Sequence, residues 1–176
     1  MSELLGKSIG FVVGLMITAV LVVVIIKFAN KDKAFKTKYD ERQLAARGKA
    51  YAFGFWTLML CNIVFIYLDV ADFDLNFLGN LKFFIPIFLG VLVQVSYSIW
   101  NDCYMGLNSN SKRFTIIFLV MGIAYFIFGI REIIQNGMVE NGLASQSLTT
   151  LFASIFILLI VVQILIKGAL DKREED

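Results

Sequence analysis

The residues of this chain that could do chemistry fall into three short polar stretches and a scatter of neutral side chains inside apolar runs. The stretches are Tyr39-Asp40-Glu41-Arg42-Gln43, Asp72-Phe73-Asp74-Leu75-Asn76, and Asn101-Asp102-Cys103-Tyr104-Met105-Gly106-Leu107-Asn108. The chain has no histidine, which removes the commonest general base, proton relay and zinc ligand together. Cys103 follows Asp102, with no base nearby in the sequence to activate its thiol. The middle stretch opens like a calcium loop, but Phe77 stands where that loop needs glycine and Phe83 where it needs glutamate. A Walker-type glycine loop, a metal-spaced cysteine set and a serine with a nearby base are absent from the sequence. The expectation is a non-enzyme with no catalytic, cofactor-binding or metal-ligating residues.

Polar side chains inside apolar runs read as functional by default in a membrane, and here they include Thr57, Asn62, Gln94, Ser96, Ser98 and Gln163. All are neutral. Thr57 and Gln94 come to similar depth and Gln163 lies a turn away, which suits either interhelical hydrogen bonds of about 1 kcal/mol each or a polar solute site among helices two, three and five.

The elements that position these groups follow from hydropathy. The chain is 59% hydrophobic and 17% charged, with a mean hydropathy of +0.77, too apolar for a water-soluble domain of its size. Residues 9–26, 51–68, 83–100, 114–130 and 148–166 are uncharged runs. At ~1.5 Å per residue each covers roughly 30 Å of hydrocarbon. The expected fold is all-α: a single polytopic domain, residues 1–176, of five transmembrane helices. The first run is too long for a signal peptide and its positive charges follow it, so it reads as a retained helix. Pro86 falls in the first turn of the third run, where a helix tolerates it.

Positive charge sets the orientation. The loop at 27–50 holds Lys27, Lys31, Lys33, Lys36, Lys38, Arg42, Arg47 and Lys49; Lys112, Arg113, Lys167, Lys172 and Arg173 alternate onto the same face. Only Lys7, Lys82 and Arg131 fall on the other, so the N-terminus is expected outside and the C-terminus in the cytoplasm, ending in a solvated tail from Asp171. The basic balance then reports topology and carries no nucleic-acid signal. Cys61 and Cys103 lie in different settings, so no disulfide is expected.

Gly6, Gly10, Gly14 and Thr18 form a small-residue stripe on the first helix, and Ala46, Ala50 and Gly54 form one on the second. Such stripes let helices approach closely in lipid. They suggest contact between helices one and two near the inner surface, and a homo-oligomer would use the same device. Asp40 with Gln43 three residues on fits a capping box, so the second helix starts two to three turns before the membrane. Asp102, a carboxylate on a basic face, should seek a cation, with Arg42 or Arg47 the expected partner.

Asp40-Glu41-Arg42-Gln43, the run Ala46 to Tyr51, and the run Ile99 to Asn108 together resemble a group of uncharacterised small multi-pass membrane proteins of low-GC Gram-positive bacteria. The resemblance covers roughly Tyr39 to Arg113. It implies placement in a bacterial cytoplasmic membrane and no particular activity; alanine is usual in that group where Cys103 sits, which implies that Cys103 is not a nucleophile. The leading expectation is a membrane protein that binds a membrane or cytoplasmic protein partner through its inner face, in an immunity, sensing or transporter-accessory role. Asp40, Glu41, Arg42, Arg47, Asp102, Tyr104 and Asn108 are the candidate contacts. The alternative is a small transporter or oligomeric channel using Thr57, Asn62, Gln94, Ser98 and Gln163.

Overall fold

The computed structural model describes residues 2–32, 36–140 and 142–175, with side-chain surroundings for all of these except 2–8, 11, 140, 174 and 175. The elements run α1 (Ser2–Ala29), α2 (Glu41–Val70), a 3-10 turn (Asn76–Leu78), α3 (Leu81–Trp100), α4 (Ser111–Asn136), β1 (Val139–Glu140), β2 (Leu143–Ala144) and α5 (Gln146–Glu175). Apart from the small antiparallel hairpin of β1 and β2 the fold is all-α, and five helices are long and apolar enough to cross a membrane.

Local sequence explains where the helices start and stop. Asp40 accepts from the Gln43 amide at 2.6 Å while the Gln43 side chain reaches back to the Asp40 amide at 3.4 Å, so the expected capping box is present and α2 begins early. α2 and α3 end in the same way. Asp72 and Asp102 take left-handed φ angles of 57° and 55°. The amides of Phe73 and Cys103 then bond back to the Leu68 and Ser98 carbonyls, closing a Schellman motif at each end.

Two boundaries differ from expectation. α3 begins at Leu81, so Pro86 lies beyond the first turn and removes the amide that would have bonded the Lys82 carbonyl. α5 continues to Glu175, so Asp171 belongs to a helix and not to a free tail.

Close approach of backbones assembles the bundle. A Cβ on Gly54 would stand 2.8 Å from the Gly90 carbonyl oxygen, and one on Gly90 would stand 2.9 Å from the Gly54 oxygen, so α2 and α3 touch where both lack side chains. α4 and α5 use the same device: a Cβ on Gly129 would stand 3.1 Å from the Leu151 backbone, and one on Gly122 would meet the Leu158 side chain at 2.8 Å. Phe88 of α3 joins Phe152 and Phe156 of α5 at ring separations of 5.6 and 5.1 Å, beside a core of Ile99, Phe156 and Ile160.

The expected packing of helices one and two is corrected. Ala50 is buried and Gly54 meets α3, whereas Gly10 and Gly14 of α1 have nothing within 4 Å of a Cβ position. Gly6 lies outside the residues with described side chains. Residues 12–24 of α1 are all exposed, and α1 joins the bundle at its last turn and at α4. A membrane helix is apolar on every face, so a small-residue stripe permits close contact without choosing the partner.

Candidate functional site at the basic end of the bundle

The last turn of α1, residues 30–32 and 36–40, the turn 101–110 and the last turns of α5 gather at one end. Residues 29–31 and Lys38 are knitted onto the 101–110 turn by backbone bonds. Lys31 N donates to Asn108 O at 2.7 Å, Leu107 N to Lys38 O at 2.8 Å and Asn110 N to Ala29 O at 2.9 Å. Asn30 and Ser109 pair as an antiparallel bridge, with the Ser109 hydroxyl on Asn30 Oδ1 at 3.1 Å.

Asn108, a candidate contact residue, is instead buried as the hub of this seam. Its Oδ1 accepts from Lys38 N at 2.8 Å, and its Nδ2 donates to the Asp32 carboxylate at 3.0 Å and to Lys36 O at 3.1 Å. Gln43 does similar duty from α2, donating to the carbonyls of Asp102 at 2.8 Å and Met105 at 3.2 Å. Gly106 lies under Thr37 and Lys38: a Cβ there would collide with the Thr37 methyl and stand 2.6 Å from Lys38 O. The capping residue Asp40 and the hub Asn108 therefore act by holding shape.

Asp102 finds its cation mainly on α5. Lys167 Nζ lies 3.1 Å from one of its oxygens and also bonds Asp171, while Arg42 reaches Asp102 at 4.0 Å. Arg47 takes no part, which corrects half of the expectation. The Arg47 guanidinium stacks on the Tyr39 ring at 4.1 Å, donates to the Tyr51 hydroxyl at 2.8 Å and points toward Cys103 O at 3.4 Å. Among the described residues it has no carboxylate partner. Glu41 is exposed, as is Arg42, whose side chain is 76% accessible.

Arg47 borders a cavity of about 480 Å³. Lys36, Tyr39, Tyr51, Gln94, Ser98 and Tyr104 supply much of its polar lining, with Ile26 of α1 and Phe114 of α4 on its apolar wall. Tyr104 packs edge-on against Phe114 at 5.7 Å. Burial raises the Tyr104 phenol above its ordinary value, with Tyr39 adding to the effect. Burial also raises Tyr39, opposed by the positive charge of Arg47. The lining therefore offers a fixed cation, neutral phenols, an amide and hydroxyls, which is the chemistry of holding an anion.

The expected intramembrane polar set does not form one site. Gln94 and Ser98 line this cavity, whereas Asn62 lines another at the opposite end beside Asp69 and Lys82. Asn62 donates to Leu58 O and Ser98 to Gln94 O within their own helices. Gln163 Oε1 is buried without a hydrogen-bond partner, and among the described residues no side-chain hydrogen bond joins Thr57, Asn62, Gln94, Ser98 and Gln163 to one another.

Sequence reasoning missed Tyr39, Tyr51, Lys36 and Lys167. Tyr51 had a signal, since it stands four residues after Arg47 on one helical face. Lys167 had none: at the end of an apolar run it looks like any orientation charge. Comparisons with protein-family models, curated proteins and solved structures find no match.

Proposed function

We propose that this chain is a non-enzymatic protein of a bacterial cytoplasmic membrane that works by binding a protein partner at its basic, cytoplasmic end, with its N-terminus outside. The observation that carries the reading is the fixed placement of residues 30–32 and 36–40 against the 101–110 turn. Charges that only set topology need no fixed conformation, and fixing a residue costs roughly 1–2 kcal/mol of backbone entropy. Here these residues are nevertheless held by buried hydrogen bonds from Asn108 and by backbone pairing with residues seventy positions away. The result is a shaped surface from which Lys38, Glu41 and Arg42 project. The alternative of a solute path through helices two, three and five has no comparable support, because its polar residues are dispersed.

The test is isolation from the native membrane in mild detergent, with crosslinker applied to inside-out vesicles. A defined protein should co-isolate, and reversing the exposed charges with Glu41→Lys and Arg42→Glu should reduce its recovery tenfold or more while leaving the melting temperature unchanged. A chain that consistently runs alone, or that crosslinks only in right-side-out vesicles, would overturn the reading.

A further inference from the structure

Among the described residues, Asp32, Asp40, Asp102 and Asp171 at the basic end are spoken for and Glu41 is exposed, while Arg47 has no carboxylate partner. Asp32 bonds Asn108 and lies 3.4 Å from Lys38, Asp40 caps α2, and Asp102 and Asp171 share Lys167. Among the described residues no carboxylate lines the cavity at Arg47, and its other charged lining residue is Lys36. The half-buried Arg47 guanidinium thus borders a partly apolar cavity with no counter-charge, and its remaining donor capacity can accept an anion from outside. Tyr39 and Tyr51 fix its direction, so a ligand meets a donor that is already oriented.

The shape of the surroundings says what carries that anion. The cavity lies where the last turn of α1 meets the bundle, at Ile26 and Ala29. Above that turn α1 stands off from its neighbours, exposed throughout 12–24, so the apolar side of the cavity opens between helices where lipid would be. About 480 Å³ is enough for a headgroup and the start of its chains. The lining includes Lys36, which is exposed, and Gln94 and Ser98 on α3.

We propose that this cavity is a binding site for an anionic phospholipid, with the phosphate on Arg47, the headgroup among Lys36, Gln94 and Ser98, and the acyl chains leaving between α1 and α2. This goes beyond the partner surface, which uses the exposed charges of α2 and does not require the cavity. Basic pockets between membrane helices on the cytoplasmic side suit such headgroups.

The experiment titrates the full-length protein in uncharged detergent with dihexanoyl phosphatidylglycerol, dihexanoyl phosphatidylcholine or potassium phosphate, reading the rise in melting temperature. Phosphatidylglycerol should stabilise saturably and half-saturate at a concentration at least tenfold below that of phosphatidylcholine. Arg47→Gln should weaken its binding tenfold or more, while Lys112→Gln, an exposed charge on the same face, should leave it unchanged. Because Arg47 also braces Tyr39 and Tyr51, Gln94→Leu provides a second variant, expected to lose binding severalfold while remaining monodisperse. Equal response to both lipids, equal loss with Lys112→Gln, or retained binding in folded Arg47→Gln and Gln94→Leu would overturn the proposal. Potassium phosphate that stabilised as strongly as the lipid would overturn the lipid assignment. None of these outcomes depends on whether a protein co-isolates.

Discussion

The two ends of the bundle begin from the same local device and finish as different structures. At one end α2 stops with Asp72 in the left-handed conformation, and at the other α3 stops with Asp102 in almost the same one. Beyond Asp72 the chain makes short-range bonds, such as Asn76 N to Asp74 Oδ1 at 2.9 Å, and touches the hairpin where Gly79 lies against Ala144. Beyond Asp102 it is bound to Ala29, Lys31, Asp32, Lys36 and Lys38, to Gln43 and to Lys167. A Schellman motif ends a helix by local geometry alone. Whether the turn after it becomes a surface loop or a built site depends on which distant segments supply donors and acceptors.

Removing the hub should separate the ends most clearly. Asn108→Ala strands Lys38 N and Lys36 O and takes one partner from the Asp32 carboxylate, which keeps Lys38 Nζ, and should cost about 2–3 kcal/mol, from about 1–3 kcal/mol for each backbone group left unpaired with some relief from water. Asn76→Ala, at the exposed turn of the other end, should change stability by less than about 0.5 kcal/mol. Chemical denaturation in detergent measures both, and equal small effects would mean that the seam is ornamental.

Alkaline pH should loosen the basic end first. The folded state holds the Tyr104 phenol above its ordinary value by burial. The stability it contributes is therefore complete below pH 10, the ordinary phenol value, and is lost as pH rises through 10 toward the folded value. Hydrogen exchange in residues 101–110 should accelerate above pH 10 before exchange in 71–80 does, and Tyr104→Phe should reduce that difference, with Tyr39, also raised by burial, supplying part of the rest. Simultaneous opening of both ends in wild type would count against this.

The smallest effect is one of sign. A left-handed non-glycine residue costs roughly 1 kcal/mol, so Asp72→Gly should stabilise by up to about that amount. Asp102→Gly gains the same relief but loses the pair with Lys167, and should therefore stabilise less than Asp72→Gly or not at all. Stabilisation of the same size at both sites would show that Asp102 serves only as a helix stop.

Much of this was legible in the residues. The five apolar runs and the capping box at Asp40 and Gln43 depend on neighbours within a turn or on bulk hydropathy, and each appears as expected. The need of Asp102 for a cation was legible too, since a carboxylate near a membrane boundary is costly alone. The identity of that cation was not, because Lys167 is brought to it by the packing of α5 on α3. Asn108 looked like a turn residue open to a partner, and nothing local distinguishes an exposed asparagine from one that binds a segment seventy residues earlier.

The sequence by itself determined the number of long apolar helices, the early start of α2 and the clustering of positive charge between alternate helices. Tertiary structure decided that Ala50 and Gly54 serve α3 and not α1, that α1 stands off, and that Arg47 faces a cavity without a carboxylate. The physical reason is the solvent. In water the apolar face of a helix marks the side that packs, whereas in lipid every face is apolar, and the choice falls to shape and to a few long-range hydrogen bonds.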